Sequence, residues 1–158
     1  MNSDLFNDNA LFKECVEVLN AQVLNYEEDA NISKAFKSLF PITTWGKIDW
    51  AKINRKIEVG YDHALIISSL AELLEHNDFD KGVYILWSDG GIPAIKTNLE
   101  EVMKHFYDVA SVSFEAFIFN VVIGYIIEIR SNDLVTVGVI DKARMAKINE
   151  LSTEKLLK

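Results

Sequence analysis

Cysteine, proline, histidine and positive charge are all scarce in this 158-residue chain. One cysteine, Cys15, excludes an internal disulfide and a cysteine-based zinc site, and its place on an apolar helical face predicts a buried thiol. The longest apolar stretch, Ala116 to Ile127, is bounded by Glu115 and Glu128 and interrupted by Asn120 and Gly124. It is too short and too β-branched to cross a bilayer. With 16 basic against 24 acidic side chains the formal net charge is −8. Such a surface repels phosphate backbones and anionic membranes and attracts a basic partner, so neither nucleic acid nor a membrane is expected to be bound. The first residues, MNSDLFNDNALF, carry neither a basic region nor an apolar core of a signal peptide, and a cytoplasmic location is expected.

The motifs of common chemistries are missing as well. There is no GxxxxGK[ST] and no GxGxxG between a strand and a helix, so no phosphate cradle and no cofactor is expected. His63, His76 and His105 fall in or at the ends of predicted helices, outside any HExxH, HxE or Cys/His constellation. His76, Asp78 and Asp80 lack the spacing and the glycine of a calcium loop, and no metal is expected. Glu115 and Glu128 sit on adjacent predicted strands, but pairing alone does not make an acid and a base.

What is present reads as architecture. Residues 83–107 are its centre: Val83 to Trp87 is β-branched and aromatic, and Ser88-Asp89-Gly90-Gly91 suits a turn with positive φ. Ile92 to Lys96 returns as a strand shortened by Pro93. Asn98 and Glu101 form a helix start signal, followed by the stripe Leu99, Val102, Met103 and Phe106.

Before this centre, the spacing of Phe12, Val16, Leu19 and Val23 predicts a helix over about 9–25. Glu27, Glu28 and Asp29 are either a polar break or the first turn of a second helix with the stripe Ile32, Ala35, Phe36 and Leu39, ended by Pro41. Residues 42–60 suit either a short helix capped by Asp49 and running through Ile53 and Ile57, or irregular structure around Gly46 and Gly60. Trp45 and Trp50 there pack a loop on the core, or form an exposed hot spot. Asp62 opens a strongly apolar helix through Leu65, Ile66, Leu70, Leu73 and Leu74. After the centre, Val112 to Ile118, Ile123 to Arg130 and Leu134 to Ile140 form a three-strand meander turning at Ser131-Asn132-Asp133. Asp141 caps a last helix through Met145, Ile148 and Leu151, and the tail from Ser152 is expected to fray. The order, helices and then β-β-α-β-β-β-α, predicts one α+β domain over 1–158 with a mostly antiparallel sheet of about five strands.

The end of the fourth predicted element, Glu72 to Asp80, concentrates Glu72, Glu75, His76, Asp78 and Asp80 in nine residues. The candidate binding surface is Glu72, Glu75, Asp78, Asp80 and Asp89, which share one edge if the helix end and the hairpin turn lie together. Trp87 is a candidate anchor, set against its place among β-branched neighbours on a central strand, which favours the core.

The segment YILWSDGGIPAIKTNLEEVMKHFYDVASVSFEAFIF, within residues 61–140, resembles immunity proteins of bacterial contact-dependent growth inhibition systems. The resemblance implies a non-catalytic inhibitor that forms a tight stoichiometric complex with the toxic C-terminal domain of a large surface exoprotein. Such toxins are often nucleases, whose basic surfaces an acidic inhibitor can occupy. Two other classes compete on the residues alone. A small hydrolase or transferase would place His63 or His105 on a buried acid beside a cleft. An acidic adaptor would use helices 9–39 for self-association.

Overall fold

The computed structural model describes residues 9–141, 144 and 145. Seven strands form one antiparallel sheet in the order β1-β4-β3-β5-β6-β7-β2. They are β1 (Gln22–Val23), β2 (Arg55–Gly60), β3 (Gly82–Trp87), β4 (Ile95–Asn98), β5 (Ala116–Phe119), β6 (Tyr125–Ile129) and β7 (Val135–Val139). The helices are α1 (Ala10–Leu19), α2 (Tyr26–Leu39), α3 (Ile66–Leu74), α4 (Leu99–Lys104) and α5 (Phe106–Ala110). The α+β class and the antiparallel sheet match the sequence expectation. The two extra strands, β1 and β2, are the two edges.

Both were hidden by misleading local patterns. The predicted helix over 9–25 stops at Leu19 because Asn20 turns left-handed, with φ 49°, and its N–H closes onto the carbonyls of Glu17 and Val16. Val23 is therefore no part of the helical stripe; it pairs with Ile95 in the sheet. In residues 42–60, read from the sequence as either a short helix through Ile57 or irregular structure, there is instead a 3₁₀ turn, Trp50–Lys52, followed by β2, where Ile57 and Val59 alternate with Lys56 and Glu58. Asp49 makes no side-chain cap.

Alternation along the central strands splits the core into two layers. Val83, Ile85 and Trp87 of β3, Ala116 and Ile118 of β5, Tyr125, Ile127 and Ile129 of β6, and Val135, Val137 and Val139 of β7 face α1, α3, α4 and α5. Phe117, Phe119 and Ile126 face the other way, onto Phe36, Leu39 and Phe40 of α2 and its following loop. Every residue of β5, β6 and β7 is buried, because both faces of the meander are covered.

Caps explain where the helices begin. Asn25 and Glu28 form a reciprocal capping box at α2, so Glu27, Glu28 and Asp29 are its first turn. Asn98 accepts from the Glu101 N–H at 3.0 Å to start α4. Asp62 accepts from the Ala64 N–H and opens a short 3₁₀ turn, His63–Leu65, which leads into α3. The helix expected after Asn98 breaks at His105, whose φ of −127° separates α4 from α5. Val112 to Phe114 is a bend, and β5 starts only at Ala116. The turn after β3 also differs from expectation: among the described glycines, positive φ occurs at Gly46, Gly60 and Gly124, not at Gly90 or Gly91. Asp89 makes the turn, accepting the Gly91 N–H at 2.9 Å on its carboxylate and the Ile92 N–H at 3.2 Å on its carbonyl. Asp141 accepts from the Arg144 N–H at 2.7 Å, as a cap would; Ile148, Leu151 and the tail lie outside the described residues. Among the described residues no helix is long and apolar enough to cross a membrane.

Candidate functional site

The acidic segment sits where α3 ends. Glu75 adopts φ 58° and closes the helix by donating its N–H to the carbonyls of Ala71 and Glu72. His76 donates its N–H to Ala71 as well, at 3.1 Å. The chain then folds back on itself, the Asp78 N–H donating to His76 Nδ1 at 3.2 Å. The result is an open groove of about 610 Å³ lined in part by Glu72, Glu75, His76 and Asp78.

Its electrostatics follow from that composition. Glu72 and Glu75 are one turn apart on one helix face, and the groove is walled by the C-terminal end of α3, the negative end of its dipole. No lysine or arginine among the described residues lines the groove. Among the described residues none of Glu72, Glu75 and Asp78 takes part in an ion pair, as is true of most carboxylates of the chain; Asp49, Glu101, Glu115 and Glu128 are among those with a cationic partner. Like charges gathered without a counter-charge repel one another in the free chain, and a basic partner relieves that repulsion.

The remaining candidates separate. Asp80 precedes β3 while Asp89 follows it, so the six residues of the strand hold them roughly 20 Å apart at 3.3 Å per residue. Asp89 is exposed at the far end of the sheet. Asp80 is exposed but is bonded back onto the fold: its Oδ1 accepts from the Gly82 N–H at 2.8 Å and from Asn120 Nδ2 at 2.9 Å. Trp87 is 6% exposed, its ring edge-on to Phe12 at 5.7 Å and its indole donating to the Val109 carbonyl at 3.1 Å. Those contacts make it a core residue of this chain, and no free surface anchor. Asn120 and Tyr125, which brace the loop through Asp80, were not singled out by the sequence. The one available signal was a lone amide inside the apolar run 116–127.

The two tryptophans of residues 42–60 part company too. Trp50 packs over Gly138 and bonds Glu128, whereas Trp45 is 84% exposed at the tip of a turn.

The arrangement offers little to acid–base or nucleophilic chemistry. His63 stacks on Phe106 with ring centroids 4.3 Å apart and meets the edge of Tyr107 at 5.2 Å. His105 Nδ1 lies 3.7 Å from Asp108, a partly exposed side chain rather than a buried acid. Glu115 and Glu128 do not face each other as a pair; Lys47 holds the first and Arg130 the second. Among the described residues no group of three or more His, Cys, Asp or Glu side chains is placed to hold a metal ion.

Residues 9–138 match the family model described as CdiI immunity protein EcoliA0-like. The match takes in all seven strands except the last residue of β7, together with the acidic groove. No curated protein is similar enough to the chain to be matched.

Proposed function

Since the chain belongs to the CdiI immunity protein family and neutralises the toxin of a contact-dependent growth inhibition system, we propose that it does so by stoichiometric binding in the cytoplasm. It performs no reaction itself. The partner is the C-terminal domain of the exoprotein, a nuclease, whose basic active or substrate-binding surface the chain covers. The observation that carries this is the groove at the end of α3, where Glu72, Glu75 and Asp78 stand without a cation among the described residues.

Such a site attracts a surface built to hold phosphates. Charge complementarity of this kind raises association rates by one to three orders of magnitude over uncharged pairs, and the gain shrinks as salt shortens the Debye length. Steering alone gives no long-lived complex. The apolar and hydrogen-bonded contacts made after encounter set dissociation.

The test uses the toxin domain encoded in the neighbouring reading frame, with binding followed by surface kinetics from about 50 to 500 mM salt, a range over which the Debye length falls about threefold. Wild type binds one to one, blocks the nuclease activity, and associates at least roughly tenfold more slowly at the upper salt limit. The triple reversal E72K/E75K/D78K flattens that salt dependence. Association that ignores both salt and the reversal removes the groove from the interface, and a toxin without nuclease activity removes the assigned substrate class.

A further inference from the structure

Asp80 belongs to the acidic segment by sequence but not by its bonds, and this separates it from its neighbours. Its Oδ1 takes two hydrogen bonds from within the fold, and its carbonyl accepts a third from the Tyr125 hydroxyl at 2.8 Å. Asn120, 1% exposed, is fully used in the same knot. Its Nδ2 donates to Asp80 and, at 2.7 Å, to the Gly82 carbonyl, while its Oδ1 accepts the N–H groups of Val122 at 3.0 Å and Ile123 at 2.6 Å. One amide thus ties the loop after α3 to the turn between β5 and β6, some 40 residues away in sequence. Phe79 is 8% exposed and packs edge-on against Tyr125 at 5.5 Å, which anchors the loop from the adjacent position.

Resting on the groove as the toxin interface, we propose that Asp80 and Asn120 are positioning residues: they hold the 75–80 loop so that Glu75 and Asp78 are presented in a fixed arrangement, and Asp80 lends its geometry rather than its charge. The loop needs such support. Glu75 is a non-glycine residue in a left-handed conformation, and the like charges beside it push the loop apart. A loop held in its binding shape before encounter loses less conformational freedom on binding, so affinity depends on the brace.

The substitution Asp80→Asn separates the two roles, because an amide oxygen still accepts the bonds from Gly82 and Asn120 while the charge is gone. Binding of the neighbouring-frame toxin domain is measured for wild type, D80N, D80A, N120A and Y125F, with D78N and E75Q as charge controls and thermal melts confirming that each variant is folded at the assay temperature. The expected result is D80N within about twofold of wild type with its salt dependence kept. D80A and N120A weaken binding roughly tenfold, the scale of one lost hydrogen bond to a charged group. Y125F, which keeps every carboxylate, also weakens binding, so the inference stays testable where D80A or N120A does not fold. D80N losing affinity and salt dependence as D78N does overturns the inference and leaves the groove as the interface. D80A or Y125F binding like wild type overturns it too. If E75Q and D78N themselves change nothing, the groove is not the interface and both readings fall.

Discussion

The indole Nε1 of Trp50 donates to Glu128 Oε1 at 3.1 Å, joining the segment between α2 and β2 to the C-terminal end of β6. Glu128 is 2% exposed, and the same oxygen accepts from Arg130 Nε at 2.6 Å. A carboxylate buried on the α2 side of the sheet therefore rests on two donors. Removing one leaves a charge that water cannot reach, which costs about 3–5 kcal/mol for a fully buried pair. Arg130 is partly exposed, so we expect R130A to cost less, about 1–3 kcal/mol. Adding E128Q to R130A recovers part of that loss, because the orphaned charge disappears. Urea unfolding of wild type, R130A and R130A/E128Q measures both steps; a double variant less stable than R130A contradicts the account.

Gly124 has φ +90°, and a Cβ built there would lie 2.6 Å from Ile140 Cγ1 and 2.8 Å from its Cδ1. Strain and overpacking add, and G124A is expected to lose about 2–4 kcal/mol. At Gly90 nothing lies within 4 Å of the added atom and φ is not positive. G90A changes stability by less than about 0.5 kcal/mol. Thermal melts of the two variants should differ by several degrees.

The ring of Phe36 lies 5.1 Å from Phe119, 5.4 Å from Phe117 and 5.6 Å from Phe40. It fastens α2 to the sheet. Deleting it leaves a cavity that rigid neighbours cannot fill, and F36A is expected to cost about 3–5 kcal/mol by chemical denaturation. The exposed Phe114, at 83%, gives the contrast: F114A should be within about 0.5 kcal/mol of wild type.

What the sequence disclosed and what it hid divide along a physical line. The meander was legible because strands covered on both faces must be almost wholly apolar, as Ile126 and Ile127 are. The start of α4 was legible because Asn98 acts within three residues of itself; that of α2 stayed open between a polar break and an acidic first turn, because the Asn25 cap was not singled out. The edge strands were not legible, since β1 is two residues long and its identity depends on pairing with β4, seventy-odd positions away in sequence. In the site, the charges of Glu72, Glu75 and Asp78 were visible and their convergence followed from one helix end. The separation of Asp89 required knowing which way β3 runs. The bonding of Asp80 depended on Asn120, a partner no local pattern connects to it.

Burial pushes the Cys15 thiol up to about 12 from an ordinary 9.0, the Asp108 carboxylate adding to the shift. Burial likewise raises the Tyr125 phenol above its ordinary 10.0, with Asp80 contributing. In both cases the folded chain keeps its proton at a pH where the unfolded chain releases it, so the native state binds more protons across that window. Stability is then fully present below about pH 9 and falls as pH rises toward 12, with a limiting slope of about 1.4 kcal/mol per pH unit for each proton held. We expect denaturation midpoints that are flat with respect to these two groups between pH 7 and 8.5 and decline above pH 9. C15A removes the thiol's share and Y125F the phenol's. The same burial makes Cys15 inert: a thiol reagent at pH 8 should label it only after denaturant is added, because the thiolate is the reactive form. Rapid labelling of the native chain, or a C15A variant whose alkaline decline matches that of wild type, would show that the thiol does not stay protonated in the core.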